Sequence, residues 1–183
     1  MNRPTGDRSQ IACHHAVRST GGVAVRATMT GRSSMSTIPS RRPATVLSAE
    51  DDADFRLLVK RAMDRSALGV DLRFVEDGEQ LLDYLRGSGT YAGSDAPRPG
   101  LVLLDLNLPR TDGRDALRAI KSDPVLRHIP VVVFTTSNAV EDVALCYDLG
   151  ANAFVRKPMD MPALVDLVST IGHYWLDLVE PPR

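Results

Sequence analysis

No apolar run in this chain approaches the ~20 residues that a membrane-spanning helix needs, so neither a membrane span nor a membrane partner is expected. Cysteine is scarce. Cys13 and Cys146 stand far apart and build neither a disulfide framework nor metal-ligand spacing, which makes a reducing cytoplasm the expected compartment. Cys146 falls in a helical pattern and is expected to be a small core residue. The beginning of the chain lacks the ~7–15-residue apolar core of a secretory signal, so export is not expected. Acids are also missing there. Residues 1–43 hold seven arginines against Asp7 alone, a surplus of +6, so the remainder carries −7 of the net −1. An acidic folded part argues against nucleic acid as partner, because phosphate contacts need clustered Lys and Arg.

What is present is the composition of a globular protein: 183 residues, 43% hydrophobic and 25% charged, enough for one domain and some excess. The excess is residues 1–43, rich in Arg, Ser, Thr and Gly and without sustained periodicity. Such a segment cannot bury enough apolar surface to offset its ordering entropy, and a disordered basic extension is expected. A basic anchor, a transit-like peptide, or a true start at Met29 or Met35 are the other readings. Residues 44–180 are expected to form the folded domain, with 181–183 a tail.

From Ala44 onward short apolar runs alternate with helical patterns. The predicted strands are Thr45–Ala49, Leu72–Val75, Leu101–Leu104, Val131–Thr135 and Ala153–Arg156. After the first, Phe55, Leu58, Val59 and Ala62 recur at helical spacing. Gly78–Leu85, Arg114–Ser122 and about 139–149 follow as helices, the last stopped by Gly150. Asp160 caps a fifth helix expected to run to about Leu178, and residues 86–99 read as loop. Five strands and five helices in strict alternation predict an α/β, doubly wound five-stranded parallel sheet. In such folds the site lies beyond the carboxyl ends of the strands. Glu50, Asp51, Asp105, Thr135 and Lys157 stand there.

Three carboxylates on one rim repel unless a cation sits among them. A hard divalent ion with oxygen ligands answers this, and Mg²⁺ suits one or two carboxylates with water and phosphate. Lys157 adds a fixed positive charge and Thr135 a hydroxyl donor. A carboxylate can take a phosphoryl group as an acyl phosphate, while metal and lysine neutralise charge on the transferring group.

Four stretches, VLSAEDD (46–52), LVLLDLNLPRTDG (101–113), PVVVFTTS (130–137) and GANAFVRKP (150–158), resemble the receiver domains of two-component response regulators. The resemblance covers about 44–178 and implies a flavodoxin-like receiver fold. It makes Asp105 the phosphoacceptor, Asp51 a direct Mg²⁺ ligand along with Asp105, Glu50 a ligand through water, and Asn107 a ligand through its backbone carbonyl. Thr135 resembles the switch hydroxyl, Thr136 the residue after it, Phe154 the aromatic switch and Lys157 the phosphate-contacting lysine. Ala53, where the family often has proline, and Ser48, in a strand usually apolar, depart from the pattern without removing a functional group.

The long loop before the third strand, Thr135-Thr136-Ser137 and the ending His173-Tyr174-Trp175-Leu176 are similar to single-domain regulators that serve phytochrome-type and other sensor histidine kinases. The implied function is a phosphorylated signalling domain with no attached output, acting by protein contact, as a phosphorelay intermediate or as a phosphate sink. It would not be an enzyme in the ordinary sense. Two other classes use this architecture. A dehalogenase-type phosphohydrolase wants a second acid where Asn107 stands. A nucleotide or flavin site wants a phosphate loop where Glu50-Asp51-Asp52 would repel one. A homodimer through the fourth helix, fifth strand and fifth helix is expected from the apolar breadth of the last helix, with Leu164, Leu167, Val168 and Ile171 leading to Tyr174 and Trp175.

Overall fold

A computed structural model describes residues 44–180 of the chain; the expectations for 1–43 and 181–183 lie outside the described residues. The strands are β1 (Thr45–Ala49), β2 (Asp71–Val75), β3 (Leu101–Leu104), β4 (Val131–Thr135) and β5 (Ala153–Arg156). The helices are α1 (Ala53–Ser66), α2 (Gly78–Arg86), α3 (Gly113–Ser122), α4 (Val140–Asp148) and α5 (Met161–Gly172). All strand pairs are parallel, in the order β2-β1-β3-β4-β5, so the chain reverses direction across the sheet between β1 and β3.

The two-residue period of the strands splits the core into two faces. Val46, Leu101, Leu103, Val132 and Phe134 point to one side, where α1 supplies Val59, Ala62 and Met63 and α5 supplies Leu164, Val168 and Ile171. Leu47, Val102, Leu104, Val131 and Val133 point to the other, against Leu81 of α2, Ala116, Leu117 and Ile120 of α3, and Cys146 of α4. β1, β3 and β4 are buried throughout because both their faces are covered and both their edges paired. Ser48 is accepted in that interior and is almost fully buried. Cys146 is buried as expected, and burial pushes its thiol pKa up.

The structure differs locally from these expectations. β2 begins one residue early at Asp71, whose carboxylate accepts from Arg73 at 2.9 Å. The buried face of α1 is Val59, Ala62 and Met63, while Leu58 turns outward toward the strand-end rim. Within the loop before β3, Gly89–Tyr91 forms one 3-10 turn that sets Tyr91 edge-on against Tyr84, ring centroids 4.9 Å apart. The last helix is α-helical only to Gly172 and continues as a π-helical segment, His173–Leu178. There Trp175 and Leu176 lie half-buried on the α1/α5 side of the core, and Tyr174 is exposed.

Candidate functional site

Ladder hydrogen bonds carry on one residue past the strands and fix the rim. Glu50 N–H donates to Val75 O at 2.9 Å, Asp105 N–H to Ala49 O at 3.1 Å and Lys157 N–H to Thr135 O at 2.9 Å. Side chains from three strand ends are thereby aimed at one place. Glu50 and Asp105 are almost fully buried, and Asp51 is exposed beside them. Glu50, Asp51 and Asp105 each offer a carboxylate oxygen, all within 4.8 Å of one another, the one such acidic group among the described residues. An all-oxygen donor set of this kind fits a hard divalent ion, with room for water on the exposed Asp51 side.

Lys157 holds the acids together. Its Nζ lies 2.5 Å from Glu50 Oε2 and 2.5 Å from Asp105 Oδ2, with only 6% of its side chain exposed. The ammonium also sits 4.4 Å from the centre of the Phe55 ring, a cation–π contact in a partly dry setting. Burial raises the Glu50 pKa above its ordinary value, against the lowering hydrogen bond and charge of Lys157 and with a further raising push from Asp105. The remaining oxygens are oriented by backbone. Asn107 N–H donates to Asp105 Oδ1 at 3.2 Å, and Asp52 N–H points to Glu50 Oε1 at 3.4 Å.

Two local devices shape the rim. Asp52 caps α1 through the amides of Asp54 and Phe55, at 2.8 and 3.2 Å, with Ala53 at the first helical position where proline is also tolerated. Gly113 begins α3 hard against the phosphoacceptor candidate: a Cβ there would stand 2.1 Å from Asp105 O, so only glycine fits.

Arg56 was not singled out in the sequence, although it lies one helical turn after Asp52 on the same side. Its Nη1 donates to Glu50 O at 2.8 Å and Asp51 O at 2.9 Å, and its Nη2 pairs with Glu76 at 3.0 Å. Phe55, Leu58 and Met159 are likewise absent from the expected site residues; with Pro158, the acids, Asn107, Thr136 and Lys157 they line the open hollow above the carboxylates.

Of the predicted residues, Glu50, Asp51, Asp105, Asn107, Thr136 and Lys157 meet at that hollow. Thr135 does not line it. It is fully buried, its Oγ1 accepting from Ser137 N–H at 3.3 Å. Phe154 is half-buried on β5 and packs on the α2/α3/α4 side of the core.

Comparison with known proteins bears on this arrangement. Residues 46–169 match the family model of the response regulator receiver domain. The chain is 38% identical over 143 residues to the response regulator Rcp1 of Synechocystis sp., covering 78% of this chain and 96% of that protein. Among solved structures, the phosphorylated cyanobacterial phytochrome response regulator RcpA is similar at a TM-score of 0.71 and 38% identity, over 77% of this chain and 99% of RcpA. The Mn²⁺-bound form of Rcp1 is similar at a TM-score of 0.70 and 38% identity, over 77% of this chain and all of that one.

Proposed function

The chain belongs to the response regulator receiver family, and from that membership we propose that it accepts one phosphoryl group on Asp105 from a sensor histidine kinase, with Mg²⁺ beside it. The observation that carries this reading is the meeting of Glu50, Asp51 and Asp105 oxygens within 4.8 Å, with the Lys157 ammonium against two of them.

Asp51 and Asp105 would hold the ion directly, Asn107 through its backbone carbonyl and Glu50 through a water molecule; Mg²⁺ is the hard cation suited to this set and to a phosphate ligand. When bound, the ion would neutralise charge on the transferring oxygens. An Asp105 carboxylate oxygen forms the new bond to phosphorus as the phosphorus–nitrogen bond of a donor phosphohistidine breaks, leaving the imidazole free. Asn107 N–H keeps Asp105 Oδ1 oriented for this. Lys157 exchanges its contact with Asp105 Oδ2 for one with the incoming phosphoryl oxygens. Thr135 then turns its hydroxyl toward the new group, Thr136 stands at the rim beside it, and Phe154 follows into the space that Thr135 leaves.

A phytochrome-type kinase as partner and a cytoplasmic setting are part of this proposal, the former supported by the similarity to the phytochrome response regulator RcpA. The phosphorylated form signals by protein contact, or serves as a relay intermediate or phosphate sink. A symmetric dimer through α4, β5 and α5 is part of this reading, supported by the exposed Val140 and Tyr147 of α4 and by Tyr174 after α5. No nucleic-acid or membrane partner is proposed; no helix among the described residues is long and apolar enough to cross a membrane. The test is phosphotransfer from a radiolabelled phytochrome-type kinase. Label should pass to the wild-type chain and not to Asp105→Asn; equal transfer to both would refute the assignment.

A further inference from the structure

α4 starts unlike its neighbours. α1, α2, α3 and α5 each begin on an aspartate, Asp52, Asp77, Asp112 or Asp160, whose side chain accepts from an amide of the first turn. α4 begins at Ala139 and has no such cap. Its first turn is held instead by Asp142. Oδ1 of Asp142 receives Arg114 Nε at 2.9 Å and lies 2.7 Å from Arg114 Nη2, while Oδ2 accepts from Ser137 Oγ at 2.5 Å. Ser137 Oγ also accepts from Ala139 N–H at 3.3 Å, and Ser137 N–H donates to Thr135 Oγ1 at 3.3 Å. Arg114 follows Gly113, which lies against the Asp105 backbone. A continuous chain of contacts therefore runs from the segment behind Asp105, through Arg114, Asp142 and Ser137, to the hydroxyl of Thr135.

We propose that Asp142, held between Arg114 and Ser137, is a positioning residue that keeps Thr135 withdrawn until Asp105 is occupied. The proposal rests on the phosphoacceptor reading of Asp105. At rest Thr136, not Thr135, faces the hollow, and Thr135 is fully buried. For the Thr135 hydroxyl to reach a phosphoryl group, residues 135–137 have to shift. Ser137 then moves away from Asp142, and the charge-assisted hydrogen bond between them is lost. A contact made only in the resting state biases the equilibrium against the responsive one. Its removal strengthens the apparent affinity for anything that selects the responsive state by the same factor. Asp142 and Arg114 are only partly buried, 17% and 24% exposed, so that factor is moderate.

The experiment titrates beryllofluoride, a phosphoryl mimic, with Mg²⁺ into the full chain and follows the amide resonances of residues 135–139. Ser137→Ala removes the hydroxyl and leaves the ion pair; Asp142→Ala removes both. Each should lower the titration midpoint, by about threefold to tenfold for Asp142→Ala. The resting resonances should move part of the way toward their bound positions. Asp142→Glu, which keeps a carboxylate within reach of Arg114, should restore most of the wild-type midpoint. Midpoints at or above wild type in both alanine variants overturn the proposal, as does a fall in melting temperature with the midpoint unchanged. A wild-type chain that takes up no beryllofluoride is a distinct result: it removes the phosphoacceptor reading itself.

Discussion

Replacing Lys157 by methionine tests the electrostatics of the rim. The substitution keeps the length of the stem and removes the one cation lying between Glu50 and Asp105, each 2.5 Å away and all three nearly buried. Two carboxylates whose facing oxygens lie within 4.8 Å then confront each other. At an effective dielectric constant of about 20, that repulsion is about 3.5 kcal/mol. The cost agrees with the ~3–5 kcal/mol typical of breaking a buried pair by deleting one partner. With unfolding entropy near ~2.1 cal/mol/K per residue, a domain of this size should lose about 10–17 °C in melting temperature at pH 7. Two additions should reverse much of the loss. Millimolar Mg²⁺ supplies the missing positive charge. Acidification works through Glu50, whose pKa is already raised by burial and loses both lowering influences of Lys157 in the variant. A carboxyl with a folded pKa above its unfolded one stabilises the fold when protonated and loses that contribution as pH rises through the folded pKa. The deficit at pH 7 should therefore shrink steadily toward pH 5. Calorimetric melts of both chains at pH 5 and 7, with and without Mg²⁺, measure all of this. A deficit below about 3 °C at pH 7, or one that neither acid nor Mg²⁺ reduces, would refute the reasoning.

Asp51→Ala should leave melting nearly unchanged in the absence of metal, since Asp51 is exposed, yet weaken Mg²⁺ binding by more than about tenfold in a calorimetric titration, the loss of a direct carboxylate ligand. Arg56→Gln should also weaken Mg²⁺, by a smaller factor, because it frees the Glu50 and Asp51 carbonyls that Arg56 gathers; unchanged affinity would make Arg56 merely structural. Lys121, whose pKa burial lowers to about 8, bonds Arg127 O, Ile129 O and Asn152 Oδ1. Its folded pKa lies below the unfolded one, so its contribution to stability rises as pH climbs from about 8 toward 10. Denaturant titrations should show that rise in the wild type and lack it in Lys121→Met; a rise of equal size in both would contradict the reading.

The alternation of elements was legible because each central strand is an apolar run that stops on a polar rim residue: Ala49 before Glu50, Leu104 before Asp105. The same punctuation accounts for Glu50, Asp51, Asp105 and Lys157 at one hollow, whereas Thr135, also at a strand end, is buried beneath it, and Asn107 and Thr136 follow only from the family resemblance. What escaped the sequence depends on reach across elements rather than on period. Arg56 reads as an ordinary exposed helix charge until the turn it folds back on is seen. Leu58 fits the apolar spacing of α1, yet the helix is rotated so that Met63 takes the buried place and Leu58 edges the site. Arg114 and Asp142, 28 residues apart, meet only because α3 and α4 are adjacent. The change from α- to π-helical winding after Gly172 has no local signal in His173–Leu178.

The central claim, a metal-assisted phosphoacceptor at Asp105, is tested most directly by intact-mass spectrometry of the chain after exposure to acetyl phosphate. With Mg²⁺ the wild type should gain one acid-labile phosphoryl group. Asp105→Asn should gain none, and the wild type should gain little when the metal is chelated. Labelling that survives in Asp105→Asn, or that proceeds equally well without divalent metal, would contradict it.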